Sequence, residues 1–289
     1  MQNADNSDKT IDAVIVGAGF AGIYMLHKLR QQGLDARVIE AGSGVGGTWY
    51  WNRYPGARCD IPSMQYSYQF SEDLQQEWEW SEKYATQGEI LTYAEHVVER
   101  FGLRDGMTFN SRVLATHYLS EEERWQVQLD SGEEIQARFV VMATGCLSKP
   151  NYPNIDGLNQ ASVPVYHTAN WPHDGVDFTN MRVGVIGTGS SAIQSTPIIA
   201  EQAQSLTVFQ RTPNYSIPAY NEPLDPDYVA QLKSRYAEYR QENWARGFGA
   251  DFNDNDQSAF DVSDDERQQA YEERWAKGGL AFLAAYNDL

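Results

Sequence analysis

The chain has 289 residues and a formal net charge of −18 at pH 7, with 42% hydrophobic and 12% aromatic residues. This composition excludes a disordered chain, and the acidic charge argues against binding to nucleic acid or to an anionic membrane surface, because both need a basic face. The two cysteines, Cys59 and Cys146, lie too far apart for a CxxC redox pair. No metal site is predicted, and with neither a leader nor an 18-residue apolar run the chain is predicted to be cytoplasmic.

The first predicted elements form a βαβ unit. The β-branched run over residues 11–17 predicts a strand buried on both faces. Residues 20–32 have apolar positions at helical spacing, and residues 36–40 predict a second strand. A strand, a helix and a strand within about thirty residues are typical of a right-handed parallel crossover.

The turn of this unit carries a dinucleotide-binding fingerprint. Gly17 permits the tight turn, Gly19 lets a pyrophosphate approach the backbone, and Gly22 lets the helix pack closely on the strand. The helix that begins at Phe20 supplies free N–H donors for phosphate. Glu40 ends the second strand, where a carboxylate accepts hydrogen bonds from a ribose hydroxyl. The alternative is a glycine-rich turn that binds nothing.

The middle of the chain predicts a loop, a helix and further strands. Residues 43–70 are rich in Gly, Pro and aromatic residues and predict an ordered loop with short turns, and residues 91–101 predict a helix. Antiparallel strands are predicted over residues 112–117, 125–129 and 134–137, and another buried strand over residues 139–143. The run KPNYP, residues 149–153, is the predicted domain boundary.

A second βαβ unit is predicted beyond this boundary, with strands over residues 182–187 and 206–210 around a helix over residues 191–202. Its turn repeats the fingerprint with alanine in place of the third glycine, a variant that the motif tolerates. The residues of this turn are Gly187, Thr188, Gly189, Ser190, Ser191 and Ala192.

The residues after the second strand of this unit are Arg211 and Thr212, where the first unit has an acid. An arginine can pair with a 2′-phosphate that an acid would repel, so this site is predicted to prefer NADPH to NADH. The alternative for Arg211 is a solvated surface arginine.

The last part of the chain predicts long charged helices over residues 228–243 and 264–286, separated by the segment GFGADFNDND. The acidic residues of this part are interpreted as a solvated surface. The second unit offers only two parallel strands, whereas a nucleotide-binding half usually has three or more. Its sheet edge is therefore expected to stay open unless another chain covers it.

The predicted fold class is α/β, with two Rossmann-like dinucleotide-binding domains, both incomplete, and a C-terminal helical segment. The predicted domains are an FAD-binding domain over residues 1–150, an NADP-binding domain over residues 151–222, and a helical insertion over residues 223–289. An acid at the first turn and a base at the second favour FAD and NADPH, which supports hydride transfer from nicotinamide to flavin. A disulfide acceptor would need a cysteine pair, so molecular oxygen is the next candidate acceptor.

Three further short sequence motifs occur in order along the chain. The first is GGTWYWNRYPGARCD over residues 46–60, the second is ATG over residues 143–145, and the third is YHTANWP over residues 166–172. Together with the two turns, they resemble the N-terminal part of class B flavoprotein monooxygenases, specifically Baeyer-Villiger monooxygenases. The resemblance implies that NADPH reduces FAD and that one oxygen of O2 is inserted next to a ketone carbonyl, giving an ester or lactone. The same enzymes often oxidise sulfides.

The resemblance also implies roles for particular residues. Arg58, Cys59 and Asp60 form the loop where flavin and nicotinamide meet, and Asp60 matches a carboxylate that orients a catalytic arginine. The alternative is that Asp60 only caps a turn in a Pro/Gly-rich loop. The implied flavin contacts are Gly46, Gly47, Thr48 and Trp49 and, with less specificity, Tyr66 and Val113.

A second family fingerprint, FxGxxxHxxxWP, is matched only in part. His167, Trp171 and Pro172 are in place, but Ala161 and Val163 stand where Phe and Gly belong. Val163 is expected to disturb a backbone position that glycine would allow. For His167 the implied role is to couple the domains rather than to act on substrate.

The family's catalytic arginine lies in a later segment, as does a lysine that joins Arg211 on the 2′-phosphate. The resemblance therefore implies an N-terminal half that needs a C-terminal half chain to complete both domains and to act on a ketone or sulfide. Two alternatives stay open, a catalytically inactive nucleotide-binding subunit and an N- or S-oxygenating flavin monooxygenase.

Overall fold

The computed structural model describes residues 10–247, 249–251 and 255–288. The described residues form two compact units, one within residues 1–54 and 87–177 and the other within residues 55–86 and 178–289. Residues 55–86 thus belong to the same unit as the second βαβ. The assignment of cofactors to residues 1–150 and 151–222, and of an insertion to residues 223–289, stays a prediction.

The strands and helices alternate through much of the chain, and the predicted α/β fold class is confirmed. The strands are β1 Thr10–Val16, β2 Ala36–Ile39, β3 Met107–Thr108, β4 Val113–Leu119, β5 Arg124–Leu129, β6 Glu134–Met142, β7 Arg182–Ile186 and β8 Ser205–Phe209. The helices are α1 Phe20–Gln31, α2 Thr48–Trp51, α3 Glu72–Glu77, α4 Gln87–Arg100, α5 Ser190–Gln202, α6 Pro226–Ser234, α7 Tyr236–Trp244 and α8 Asp264–Lys277. None of the described helices is long and apolar enough to cross a membrane.

The first unit is built on a six-stranded sheet in the order β3-β2-β1-β6-β5-β4. The strands β3, β2, β1 and β6 are parallel, and β5 and β4 continue the sheet in antiparallel pairs. Val14 and Ile15 in the central strand β1 are fully buried, because neighbouring strands flank β1 on both sides and α1 packs on the sheet. This rigid centre fixes the turn that follows β1.

The second unit contains the parallel pair β7-β8, which is its whole sheet within the described residues. The pair connects through α5, as the sequence predicts. The remaining helices of this unit are α3, α6, α7 and α8.

Two predicted strands form one. The run over residues 134–137 and most of the run over residues 139–143 lie in β6, which ends at Met142, pairs with β1 from Gln136 to its end and pairs with β5 only in its first half. Phe139 and Met142, in the second half, are 51% and 62% exposed, so the prediction that this part is buried is wrong. Along β6, the side chains become more exposed beyond Ala137, where the pairing with β5 ends.

The two long predicted helices are each divided. The first is interrupted at Arg235, whose φ of −127° and ψ of 25° are not helical, and this residue separates α6 from α7. The second ends at Gly278, with φ +66°, and a 3-10 segment follows over Gly279–Ala285. Phe248 and residues 252–254 of the predicted Gly/Asp/Asn-rich segment lie outside the described residues.

Candidate functional site

The turn between β1 and α1 is crowded. Gly17 has φ +105°, and a Cβ atom there would lie 2.7 Å from the carbonyl oxygen of Ala143, which follows β6. A Cβ atom at Gly22 would collide with the carbonyl oxygen of Gly17. Only glycine fits either position: the positive φ and the neighbouring backbone exclude a side chain at Gly17, and the neighbouring carbonyl alone excludes one at Gly22.

Glu40 follows β2 and closes the same turn. Its side chain is only 5% exposed, and its two carboxylate oxygens accept hydrogen bonds from the N–H groups of Ala18 and Gly42, each at 2.7 Å. Each oxygen keeps capacity for a second donor, since a carboxylate offers about four acceptor positions. The acid is thus fixed at the end of β2, where a ribose hydroxyl is expected.

The loop that begins at Gly46 lies against this turn. The N–H of Gly46 donates to the carbonyl oxygen of Ala18 at 2.9 Å. Gly47 has φ +55°, and a Cβ atom there would lie 2.7 Å from the Cα of Gly19. Thr48 and the buried Trp49 follow at once in α2. The two glycines leave a cradle of bare backbone beside the first turn.

Two other predicted flavin contacts lie in different places. Val113 begins β4, just after a segment in which the N–H of Ser111 donates to the carbonyl oxygen of Glu40 at 3.0 Å. Tyr66 belongs to the second unit, where its N–H donates to the carbonyl oxygen of Pro62 at 3.1 Å. Val113 is therefore close to the first turn within its own unit, and the flavin contact of Tyr66 stays a prediction.

The residues at the first turn fit a dinucleotide. The first turn of α1, like that of any helix, has N–H groups without an acceptor inside the helix. They directly follow Gly19, where a Cβ atom would lie 3.5 Å from the Cα of Gly47. The positive end of the helix dipole and these donors are suited to a pyrophosphate.

The turn between β7 and α5 has the same backbone with different surroundings. Gly187 has φ +102°, and Gly189 precedes α5 with φ −73° and ψ 179°. The matching values are φ +105° at Gly17, and φ −77° and ψ −175° at Gly19. A Cβ atom at Gly187 or Gly189 would meet nothing within 4 Å.

The helix and strand ends around this second turn are polar. Ser190 and Ser191 open α5, and Ala192 stands where the first turn has its third glycine. The side chains of Gln210 and Asn214 donate to the hydroxyl and the carbonyl oxygen of Thr188, the first of these at 3.4 Å. These two bonds bring the residues after β8 to the turn.

Arg211 and Thr212 lie in this same stretch, and both are exposed. An exposed guanidinium at the end of β8 is available to pair with a phosphate at the second turn. The residues present therefore fit a second dinucleotide that carries an additional phosphate.

The loop of residues 55–60 is packed on α5. Nε2 of Gln194 donates to the carbonyl oxygen of Arg58 at 3.2 Å and to Oδ1 of Asp60 at 3.0 Å. Oε1 of Gln194 accepts from the N–H of Arg58 at 3.3 Å. Sequence reasoning missed Gln194, for which the sole signal is its position shortly after the second glycine motif.

The groups near Asp60 have shifted pKa values. The surrounding chain reduces hydration of the exposed Asp60 carboxylate and raises its pKa, while the hydrogen bond from Gln194 acts in the opposite direction. Burial, helped by the charge of Asp60, raises the pKa of Tyr84. Burial also raises the pKa of the Cys59 thiol to about 11. At neutral pH Cys59 is therefore a thiol and not a nucleophile.

The guanidinium of Arg58 is held by a different set of residues. It lies 3.6 Å from Glu82 and donates to the carbonyl oxygen of Tyr84 at 3.4 Å. The Asn221 side chain joins the same set, donating to Glu82 at 2.5 Å and accepting from the N–H of Tyr84 at 2.9 Å. Sequence reasoning missed Glu82 and Asn221, which carry no motif.

The second fingerprint is a local turn in the first unit. His167 Nδ1 accepts from the N–H of Ala169 at 3.1 Å, which leaves Nε2 to donate to the carbonyl oxygen of Asn151 at 3.2 Å. Trp171 is buried, and Pro172 follows it. Four non-glycine residues of the described chain have positive φ and Val163 is not among them, so the expected disturbance there is wrong.

Comparison with known proteins places these features in a family. The model of the family described as pyridine nucleotide-disulphide oxidoreductase matches residues 14–273. The chain belongs to this family. Within the described residues, its two cysteines are free, Cys59 buried and Cys146 exposed, and they lie in different units. The described chain thus contains no disulfide between its two cysteines.

Two relatives of the chain are named as monooxygenases. The chain is 40% identical over 286 residues to 2-oxo-Delta(3)-4,5,5-trimethylcyclopentenylacetyl-CoA monooxygenase of Pseudomonas putida, with 96% of this chain and 52% of that protein covered. It is 40% identical over 281 residues to a Baeyer-Villiger monooxygenase of Pseudooceanicola batsensis (strain ATCC BAA-863 / DSM 15984 / KCTC 12145 / HTCC2597), covering 96% and 51%.

A solved structure agrees with these relatives. The structure of an oxidized steroid monooxygenase bound to NADP is 56% identical, with a TM-score of 0.91, and the match covers 96% of this chain and 53% of that one. The resemblance to Baeyer-Villiger monooxygenases is thus confirmed. The chain spans about half the length of the curated relatives it matches.

Proposed function

We propose that this chain supplies the FAD site and the NADP site of an NADPH- and O2-dependent monooxygenase of the Baeyer-Villiger type. The carrying observation is a pair of βαβ turns with the same backbone and opposite side chains: the buried acid Glu40 closes the first, and the exposed base Arg211 lies beside the second. The reaction would insert one oxygen of O2 next to a ketone carbonyl, giving an ester or lactone.

The first turn would hold FAD. Glu40 would accept a hydrogen bond from a ribose hydroxyl while the N–H groups of Ala18 and Gly42 keep its carboxylate in place. The pyrophosphate would lie along Gly19 and Gly47, whose missing side chains leave the backbone accessible. When bound, FAD supplies the chemistry of accepting a hydride from NADPH and of activating O2.

The second turn would hold NADP(H). Gly189 allows close approach of the pyrophosphate, and the free N–H groups at the start of α5 would donate to it. Arg211 would pair with the 2′-phosphate, which distinguishes NADPH from NADH. The exposure of Arg211 and the absence of an acid at this strand end support that preference.

We also propose that catalysis needs the length that the chain lacks relative to its relatives, whether this lies in the same or in a separate polypeptide. The support comes from the second sheet, where Ile186 and Phe209 are 63% and 57% exposed at the ends of adjacent parallel strands. Apolar strand residues of this kind are normally covered. Ketone or sulfide binding would then involve that further part, and cytoplasmic location stays a prediction.

In the test, this chain is fused to the half of the Pseudooceanicola batsensis relative that it does not match. The absorbance of the flavin is then followed after NADPH or NADH is added. We expect bound FAD, faster flavin reduction by NADPH than by NADH, and ketone-dependent O2 uptake that yields ester. Arg211→Gln should remove at least a tenfold preference for NADPH, which corresponds to about 1.4 kcal/mol.

The matched control is Arg182→Gln, an exposed arginine at the start of β7, away from the second turn. It should leave the nicotinamide preference unchanged. A protein that binds no flavin, or a wild type that accepts electrons equally from both nicotinamides, would contradict the proposal. Flavin reduction without any ester would leave the nucleotide sites and reject the Baeyer-Villiger reaction.

A further inference from the structure

Gln194 lies on α5, four residues after the start of that helix at Ser190, and its side chain leaves the helix to contact the loop of residues 55–60. Three hydrogen bonds hold this loop, two to the backbone of Arg58 and one to the carboxylate of Asp60. Both N–H donors of the amide and its oxygen are used. The two neighbouring acceptors and one donor thus settle which end of the amide is nitrogen.

The loop also approaches the backbone of α5. A Cβ atom on Gly56 would collide with the carbonyl oxygen of Gln194, so a glycine lets the two main chains meet. Cys59 is held from the other side by the hydrogen bond from its N–H to the carbonyl oxygen of Ala85, at 3.1 Å. The loop is therefore fixed between α5 and the segment that contains Ala85.

Neither glutamate nor leucine can replace this amide. Glutamate has no N–H to donate, and it would set a second carboxylate about 3 Å from Asp60. Leucine has a similar shape and makes none of the bonds. Either substitution therefore removes hydrogen bonds that hold the loop of residues 55–60 to α5.

We propose that Gln194 is a positioning residue, which fixes the Asp60 carboxylate relative to the second dinucleotide turn. This inference rests on the proposed function, since it is there that Asp60 has a role. The same helix would present its first N–H groups to the pyrophosphate, and it presents its Gln194 amide to Asp60. The position of a nucleotide on that turn and the position of the Asp60 carboxylate would then both be set by α5.

The first test is hydrogen exchange of the 289-residue chain without cofactors, read by mass spectrometry in the peptide that contains Arg58. The N–H of Arg58 donates to Gln194, so Gln194→Leu should speed its exchange about tenfold. The matched control is Gln202→Leu on the same helix, where the Gln202 side chain accepts from the N–H of Phe178 at 3.4 Å. It should leave the Arg58 peptide unchanged.

The second test separates positioning from mere stability. The Asp60 carboxyl is titrated by carbon-13 NMR in chain labelled at aspartate, with Asp60→Asn used for assignment. Gln194→Glu should raise the midpoint of Asp60 by about one pH unit or more, because two carboxylates would share one site. Gln202→Glu adds the same charge to the same helix and should not move the midpoint.

Either of two results would overturn the inference. One is an Arg58 peptide that exchanges equally in wild type and Gln194→Leu. The other is an Asp60 midpoint that is the same in Gln194→Glu and Gln202→Glu. Neither measurement needs flavin or nicotinamide, so failure of the proposed function would appear separately, as a wild type without NADPH-dependent flavin reduction.

Discussion

The two dinucleotide turns differ in what surrounds them rather than in their own backbone. Gly17 and Gly187 have φ values of +105° and +102°, yet a Cβ atom meets backbone at the first and open space at the second. The first turn lies where β1 is flanked by β2 and β6, and Ala143 after β6 closes over it. The second follows β7, which within the described chain pairs only with β8.

This difference separates two reasons why a position of the dinucleotide-binding motif requires glycine. One reason is the positive φ, which belongs to the turn itself. The other is crowding, which depends on neighbours that the motif does not contain. Matched substitutions of glycines at the two turns separate these reasons, and substitutions of Glu40, Arg211 and Asp60 compare the charged groups beside them.

The largest effect is expected at the third position of the motif. Gly22→Ala brings a Cβ atom into the carbonyl oxygen of Gly17, and we expect the free energy of unfolding in urea to fall by about 3 kcal/mol or more. The second turn already carries Ala192 there, and Ala192→Gly should cost about 1 kcal/mol, the usual penalty of glycine within a helix. Equal costs would show that the first turn relaxes.

The first position gives the next largest difference. Gly17→Ala suffers both the positive φ and contact with Ala143, whereas Gly187→Ala suffers the φ alone. We expect losses of about 3 and about 1 kcal/mol in urea unfolding. A loss at Gly187 as large as that at Gly17 would mean that the second turn is crowded as well.

The acid and the base come next. Glu40→Gln turns an N–H pair toward one of the two backbone donors that the carboxylate accepts, and we expect a loss of about 2 kcal/mol in urea unfolding. Arg211→Gln is exposed and should change stability by less than about 0.5 kcal/mol, with its effect confined to nucleotide choice. A destabilised Arg211→Gln chain would reveal a structural contact.

The smallest effect concerns Asp60. Its pKa is raised in the folded chain, so the folded state holds a proton more tightly than the unfolded state, whose pKa is about 4. Stability contributed by this group is therefore lost as pH rises above that value, and Asp60→Asn escapes the loss. Relative to wild type, Asp60→Asn should gain stability in urea unfolding as the pH is raised from 3 to 7, by an amount that the exposure of Asp60 keeps small. A gain toward pH 3 would reverse the sign.

Local signals made the two turns predictable. A β-branched run, a glycine motif and an apolar helix pattern lie within about thirty residues, and Glu40 and Arg211 follow from their positions after the second strands. Reliance on local pattern also explains the wrong prediction that residues 139–143 form a separate buried strand. Residues 134–142 continue as one strand through Arg138, and burial along this strand depends on where β5 ends, which the sequence of β6 does not encode.

The support of Asp60 could not be predicted in the same way. Gln194 and Asp60 are 134 residues apart, and a single glutamine in a helix has no periodicity that would indicate a distant partner. The same holds for the assignment of residues 55–86 to the unit of the second turn. Such contacts depend on the packing of whole elements rather than on any one segment.

The central claim is that the chain holds two separate dinucleotide sites, one for each cofactor. Gly19→Ala and Gly189→Ala test it directly, because both positions have negative φ and room for a methyl group, which would occupy the approach of a pyrophosphate. Calorimetric titration with FAD and with NADP+ should show that Gly19→Ala weakens FAD alone and that Gly189→Ala weakens NADP+ alone, each by tenfold or more. If both substitutions weakened the same cofactor, or neither changed any affinity, the claim would be wrong.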